Sequence, residues 1–195
     1  MVNYNLIVSM CRNNGIGKNG QLPWHIKNDL HYFSKLTKGD GHNAVIMGQN
    51  TWKSLPPVKG CLRGLTGRDN FILTSTSANS ATSTTSANSH NTNNRIKTFA
   101  TVADMETFIS ENEFYEDLWV IGGAQIYQHF LAMDKINKCY ITSIDKDFDC
   151  DVFFPALDLN VWREIERTDS YEESYACEVS YRIYEKFKGQ NTDCH

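Results

Sequence analysis

Several residue groupings in this chain have types and spacings suited to chemistry. Gly15-Ile16-Gly17-Lys18-Asn19-Gly20 matches G-x-G-x-x-G and follows the strand-like run Leu6-Ile7-Val8, which suggests a dinucleotide fingerprint. That fingerprint requires glycines that open a helix whose amides face a pyrophosphate. Here Pro23 follows Gly20 within three residues and helical periodicity starts only afterwards, so the glycines read as a flap. A plain surface turn is the competing reading. Gly122-Gly123 joins the apolar run Leu118 to Ile121 to a helical pattern, where missing side chains let backbone amides approach an anion. A turn needed only for packing is the alternative. Gly48 with Thr51 repeats the arrangement, so two strand ends could converge on one extended ligand.

Asp29 is the carboxylate that stands out. It lies three residues after Ile26 and beside Leu30, on the border of a helical apolar stripe. The generic reading is a solvated surface acid. Burial there would disfavour its charged form and suit it to bind a cationic heterocycle or supply a proton. H-E-x-x-H, G-x-S-x-G and P-loop sequences are missing, so metal hydrolysis, serine hydrolysis and nucleotide hydrolysis lack their signals. Cys11, Cys61, Cys139, Cys150, Cys177 and Cys194 form no C-x-x-C pair, and no His stands at finger spacing. No metal site is expected, and the thiols read as reduced and structural.

The elements that must position these groups alternate. Leu6-Ile7-Val8, 43–47, 70–74, 118–121 and 139–144 read as strands, short and largely apolar. Ile26, Leu30, Phe33 and Leu36 mark one helical face. Residues 51–55 read as a short helix stopped by Pro56-Pro57. Thr101 and Asp104 form a capping-box-like start for a helix with Val102, Met105 and Ile109 inward; Ile126, Tyr127, Phe130 and Leu131 mark another. Toward the end the period becomes two, from Tyr175 through Ile183, and this strand is expected to pair antiparallel with 161–167. Residues 75–94 contain only Ser, Thr, Asn, Ala and one His, and read as a mobile surface loop. The sum is one α/β domain over 1–195: a central mixed, mostly parallel twisted sheet, flanking helices and a C-terminal antiparallel strand pair.

Composition bounds the function. The 195 residues are 41% hydrophobic and 22% charged, near globular averages, which excludes a disordered chain or a coiled coil. Nineteen basic residues against 23 acidic ones give −4, so no bulk positive field exists for nucleic acid or a membrane surface. The first ten residues lack a signal-peptide pattern and no stretch reaches 18 apolar residues, so the chain reads as intracellular.

Leu6-Ile7-Val8, Gly15-Ile16-Gly17, Leu22-Pro23-Trp24, the segment from Asp29 to Phe33, Val45-Ile46-Met47-Gly48, Thr51-Trp52, Gly67-Arg68, Ile121-Gly122-Gly123, Tyr127 and the segment from Asp151 to Pro155 together resemble the dihydrofolate reductases. The resemblance spans nearly the whole chain in the family's order. It implies a cytoplasmic, monomeric enzyme reducing 7,8-dihydrofolate with a hydride from NADPH. By position, Asp29 holds the pterin and favours its protonated form, with Thr142 hydrogen-bonded nearby. Ile7, Leu30, Phe33, Ser34, Leu55 and Leu65 match the substrate walls, and Arg68 matches the arginine that grips the glutamate α-carboxylate. Residues 13–24 match the loop that closes over the nicotinamide, with Leu22 and Trp24 at the reacting ring. Ser9, Gly15, Ile16, Gly17, Lys18, Asn19, Gly20 and Gln21 match cofactor positions around that loop. Gly48, Gln49, Asn50 and Thr51, then Gly122, Gly123, Ala124, Gln125, Ile126 and Tyr127, match the diphosphate contacts, and the Gly122–Gly123 peptide is expected to be cis.

Gln49, Asn50 and Ser75 stand where family members often place basic side chains around the 2'-phosphate. Thr74, Ser75 and Thr76 can still hydrogen-bond it, with Lys53, Arg95 or Lys97 supplying charge; NADPH is expected, with NADH use open. The resemblance leaves two alternatives: a reductase of another pterin or a pyrimidine, against which Asp29 with Arg68 argues, and a noncatalytic folate-binding module of the same fold.

Overall fold

The computed structural model describes residues 2–57, 63–74, 95–112 and 114–187. The Ser/Thr/Asn-rich stretch 75–94, with Ser75 and Thr76, lies outside the described residues, as do Cys61 and Cys194. The chain runs β1 (Asn3–Cys11), a 3-10 turn (Arg12–Asn14), β2 (Gly15–Gly17), α1 (Lys27–Lys38), β3 (Ala44–Gly48) and α2 (Gln49–Ser54). It continues through β4 (Asp69–Leu73), β5 (Ile96–Phe99), α3 (Val102–Glu111), β6 (Asp117–Gly122), α4 (Ala124–Ala132) and β7 (Ile136–Ile144). It ends with β8 (Val152–Phe153), β9 (Trp162–Glu172) and β10 (Cys177–Lys186).

Eight strands form one sheet in the order β5-β4-β3-β6-β1-β7-β10-β9. The pairs from β5 through β7 are parallel, whereas β10 pairs antiparallel with β7 and with β9. This is the expected mixed sheet with its antiparallel C-terminal pair. Both faces of the middle strands are covered, which is why their sequences read as unbroken apolar runs. Leu6, Ile46, Phe71 and Val120 pack with Met105 of α3 and Phe130 of α4 on one face. Ile7, Val45, Met47 and Trp119 face α1 and α2, with Phe33, Leu36 and Leu55 against them. No described helix is long and apolar enough to cross a membrane.

Three strands have no clear sequence signal. β5 is an edge strand only partly buried, so its residues alternate weakly. β2 and β8 pair with each other through Gly15–Phe153 and Gly17–Val152, too briefly for a hydrophobic period to show. Gly15 and Gly17 lie in β2, and of the three loop glycines only Gly20 adopts a positive φ, +76°. In β10 ordinary alternation sets Tyr184 opposite Cys177, Val179 and Tyr181, in the main cluster, while between Ile183 and Tyr184 the facing β9 carries one extra residue.

Asp69, at the start of β4, is buried and takes Arg95 Nε at 2.7 Å, Lys97 Nζ at 3.2 Å and the Tyr115 hydroxyl at 2.6 Å. Burial alone would raise its pKa, but Arg95, Tyr115 and Lys97 outweigh it and hold the carboxyl below its usual value. Stability from the ionised form is therefore present above the unfolded pKa and lost as pH falls through the folded one. Asp69→Asn is expected to lower stability by about 1–3 kcal/mol near neutral pH, the partial exposure of both cations limiting the loss. Urea melts repeated at falling pH should show the deficit shrinking through the carboxylate range.

Candidate active site

Helix α1 presents its faces in an unexpected order. Leu30 is 41% exposed and Phe33 and Leu36 are half-buried, while Asp29 is only 6% exposed and Thr37 is fully buried. An apolar stripe left open beside a buried acid is the lining of a cleft rather than a core face. Beneath it Ser9 of β1 and Thr142 of β7 are direct register neighbours, so their hydroxyls lie side by side on the sheet. Burial raises the Asp29 pKa, and the Thr142 hydroxyl and then the Ser9 hydroxyl partly counter it. Ser9 Oγ is itself buried without a direct hydrogen-bond partner, as is Trp24 Nε1. Trp24 is fixed 5.1 Å from the Phe148 ring, in a cluster with Cys11, Ile26 and Ile144. Among the described residues no cation pairs with Asp29.

The other end of the cleft holds the opposite charge. Arg68 is 3% exposed, with Nε donating to Thr66 O at 3.2 Å and its terminal nitrogens to the Thr37 and Ser34 hydroxyls. Its guanidinium also lies 5.9 Å from the Phe33 ring. Burial, and then the like charge of Arg95, push its pKa down to about 10. Every partner named for it is neutral. Asp29 and Thr37 are eight positions apart on one helix, about 12 Å at 1.5 Å per residue. Among the described residues, the cleft thus carries a buried carboxyl and a buried guanidinium at its two ends, neither paired with an opposite charge. Ile7, Phe33, Leu55 and Leu65 form an apolar wall between them. The complement is a flat, elongated ligand with a protonatable head and a carboxylate tail.

Beside this cleft two strand ends meet. Met47 of β3 pairs with Gly122 of β6, and the Gly122–Gly123 peptide is cis, as expected. A Cβ on Gly48 would stand 3.0 Å from Ile126 Cγ1, and one on Gly123 3.4 Å from Thr51 Oγ1, so the turns interlock. Neither N-cap, Gly48 nor Gly123, uses a side chain, and with Ile126 N donating to Gly123 O at 2.9 Å the α4 amides left to an anion are those of Ala124 and Gln125. Tyr127 donates its hydroxyl to Ile7 O at 2.8 Å and pins the turn to β1. Gly122 has φ +108° and a Cβ there would lie 2.8 Å from Tyr127 Cε2. Gly122→Ala should therefore cost about 3 kcal/mol or more and lower the melting temperature by several degrees.

The deciding comparison is with known chains. Residues 3–186 match the family model for dihydrofolate reductase. The chain is 34% identical over 194 residues to a dihydrofolate reductase of Drosophila melanogaster, covering 95% of this chain and 99% of the relative. It is 34% identical over 192 residues to one from Heliothis virescens and 32% over 193 to one from Aedes albopictus, each covering 95% and 98%. The chain belongs to the dihydrofolate reductase family.

Within that family frame, the sequence-predicted residues fall into two groups. Asp29, Thr142 and Ser9 gather at one end of the cleft, and Arg68 with Phe33 and Ser34 at the other, while Trp24 packs on Phe148 in the cluster of Cys11, Ile26 and Ile144. Leu22 is 49% exposed on the loop. Gln49, Asn50 and Thr51 form the start of α2, as Ala124, Gln125, Ile126 and Tyr127 do for α4. The loop is tethered more than a flap reading suggests. Lys18 pairs with Asp149 at 2.9 Å, Asn19 N donates to Asp151 Oδ2 at 2.9 Å, and Lys18 and Gln21 bond each other's backbones. Ile16 packs on the main core. Thr74 follows β4, its N–H on Phe99 O at 3.1 Å. Arg95 and Lys97 both pair with Asp69, and Lys53 lies in the last turn of α2. Thr37, the second hydroxyl on Arg68, was not singled out in the sequence, although it sits three residues after Ser34 on the same helix face.

Proposed function

We propose that this chain reduces 7,8-dihydrofolate to tetrahydrofolate with NADPH. The observation that carries the reading is the buried pair of uncompensated charges, Asp29 and Arg68, at opposite ends of one apolar cleft. Asp29 takes the pterin's amino and N3 hydrogens and, with its raised pKa, favours the protonated ring. The buried Trp24 N–H and Ser9 hydroxyl suit an ordered water that relays the proton to N5. Arg68, held flat by Thr37 and Ser34, grips the α-carboxylate bidentately. The apolar wall excludes bulk water from the reacting ring.

The residues fit a dinucleotide. Gly48 and Gly123 cap α2 and α4 with no side chain of their own, and the Ala124 and Gln125 amides that open α4 suit a diphosphate. When bound, the nicotinamide supplies the hydride. With Arg95 and Lys97 paired to Asp69 and neutral Gln49 and Asn50 opening α2, Lys53 is the named cation left to join hydroxyl and amide contacts at the 2'-phosphate, so NADPH is favoured over NADH less steeply than a cluster of basic side chains would give. Further parts of this reading are a single domain over 1–195, with 75–94 inserted without effect on catalysis, and action as a cytoplasmic monomer that binds no nucleic acid. The net charge of −4 supports the last.

The test is oxidation of NADPH and, separately, NADH by the purified protein with dihydrofolate, repeated with methotrexate. Methotrexate-sensitive, dihydrofolate-dependent turnover with NADPH ahead is expected. Folded protein that binds methotrexate yet turns over neither cofactor would establish the noncatalytic module instead.

A further inference from the structure

Two thiols meet at the base of the active-site loop. Cys11 ends β1 and Cys150 precedes β8, and their sulfurs lie 3.7 Å apart. Both are free; Cys11 is buried and Cys150 partly exposed. Above them runs Gly15, the first residue of β2. A Cβ there would stand 2.6 Å from the Cys150 sulfur and 2.8 Å from that of Cys11, so the loop stem rests directly on the pair. The same junction holds the loop's backbone anchors. Arg12 N donates to Lys146 O at 3.2 Å, Asp151 N to Gly17 O at 2.9 Å and Phe154 N to Asn14 O at 2.8 Å. The chain leaves this point as residues 12–24, which include Leu22 and Trp24, and returns as α1 with Asp29.

We propose that Cys11 and Cys150 are a redox modification site, whose disulfide clamps the stem of the 12–24 loop and slows turnover. A disulfide holds its sulfurs about 2.05 Å apart, so closure needs roughly 1.7 Å of approach between the end of β1 and the segment before β8. A low-molecular-weight disulfide is the oxidant. The Cys150 thiolate attacks one of its sulfurs and expels the first small thiolate. The Cys11 thiolate then attacks the Cys150 sulfur of the mixed disulfide and expels the second. The net change is two protein thiols and one small disulfide becoming one protein disulfide and two small thiols. The partly exposed Cys150 is the entry point, and buried Cys11 resolves the adduct. Burial, followed by the neighbouring Cys11, pushes the Cys150 thiol up to about 11, so the reaction quickens as pH rises through the alkaline range. The clamped stem matters because ligand exchange requires the loop to open.

The test uses the full chain incubated with oxidised glutathione at alkaline pH. Expected are a Cys11–Cys150 cross-linked peptide in mass spectrometry, slowed amide exchange across 12–24, and about fivefold slower turnover restored by dithiothreitol. Cys150→Ser and, separately, Cys11→Ser should keep basal turnover and lose the response. A stable mixed disulfide at Cys150, or a bond from either cysteine to another residue, would overturn the pairing. A mapped cross-link that leaves amide exchange unchanged would overturn the clamp. Only the turnover arm rests on the proposed reaction. Failure of that reaction appears in the reduced protein before oxidation, whereas cross-link and exchange report on the pair alone.

Discussion

Asp29→Asn is expected to lower kcat/KM for dihydrofolate about 10²–10³-fold near neutral pH, the usual range for losing a positioned acid. Asn can still accept the pterin's hydrogens but cannot favour a protonated ring or feed a relay. The variant must therefore wait for solvent to protonate the substrate, and its rate should climb about tenfold per unit as pH falls, narrowing the defect. A pH profile parallel to that of the parent protein would remove the acid assignment. Stability should move the other way. Burial raises the Asp29 pKa above its unfolded value of 3.8. The folded state then binds more protons in the interval between the two, so stability is complete below the unfolded pKa and falls as pH rises through the folded one. An uncharged amide avoids that loss, and the ligand-free variant should melt higher than the parent near neutral pH. Below the carboxylate range the advantage should disappear.

Arg68→Met should raise KM for dihydrofolate about 10²-fold, near 3 kcal/mol, and leave kcat within a few-fold. Such a split is the mark of an anchor that holds ground state and transition state alike. Lys at this position should recover only part of the affinity, because a point charge cannot reproduce two parallel N–H donors or lie flat by Phe33. Burial lowers the Arg68 pKa to about 10, so the folded state carries its penalty throughout the neutral range and sheds it only as pH rises from 10 toward 12.5. Thermal melts of ligand-free Arg68→Met should show no loss of stability, while the stabilisation conferred by bound folate or methotrexate should collapse. A large drop in apo stability would show that Arg68 is chiefly structural.

Both groups illustrate what the sequence makes legible. Asp29 is visible because a helix period places it at the border of an apolar stripe, and that periodicity is local. Its burial is not local: it depends on Ser9 and Thr142 lying in register beneath it, strands separated by most of the chain. Arg68 has no periodic signal and is recognisable only through resemblance, since its burial comes from residues 65–68 folding back onto Thr37 and Ser34. The central strands are plain, being covered on both faces and ended by glycines. β2 and β8 are hidden because two paired residues carry no period. Arg95 and Lys97 look available until Arg68, just before β4, is seen turned onto Ser34 and Thr37 while Asp69 at the start of β4 faces those cations.

The far border of the sheet bears on how the molecule behaves in concentrated solution. β9 is the last strand in the order, 11 residues long and exposed along nearly its whole length. A border that long, with one side of its backbone unpaired, invites strand addition by another chain. Its side chains work against that. Arg163 is held by Glu185, Glu164 by Arg182 and Arg167 by Asp169, so much of the rim is a hydrated charge lattice. An incoming strand would have to strip water from these groups and disturb their partners before its own backbone bonds formed. Apolar replacements along this rim would be expected to leave the cleft intact yet make the protein prone to cross-β assembly.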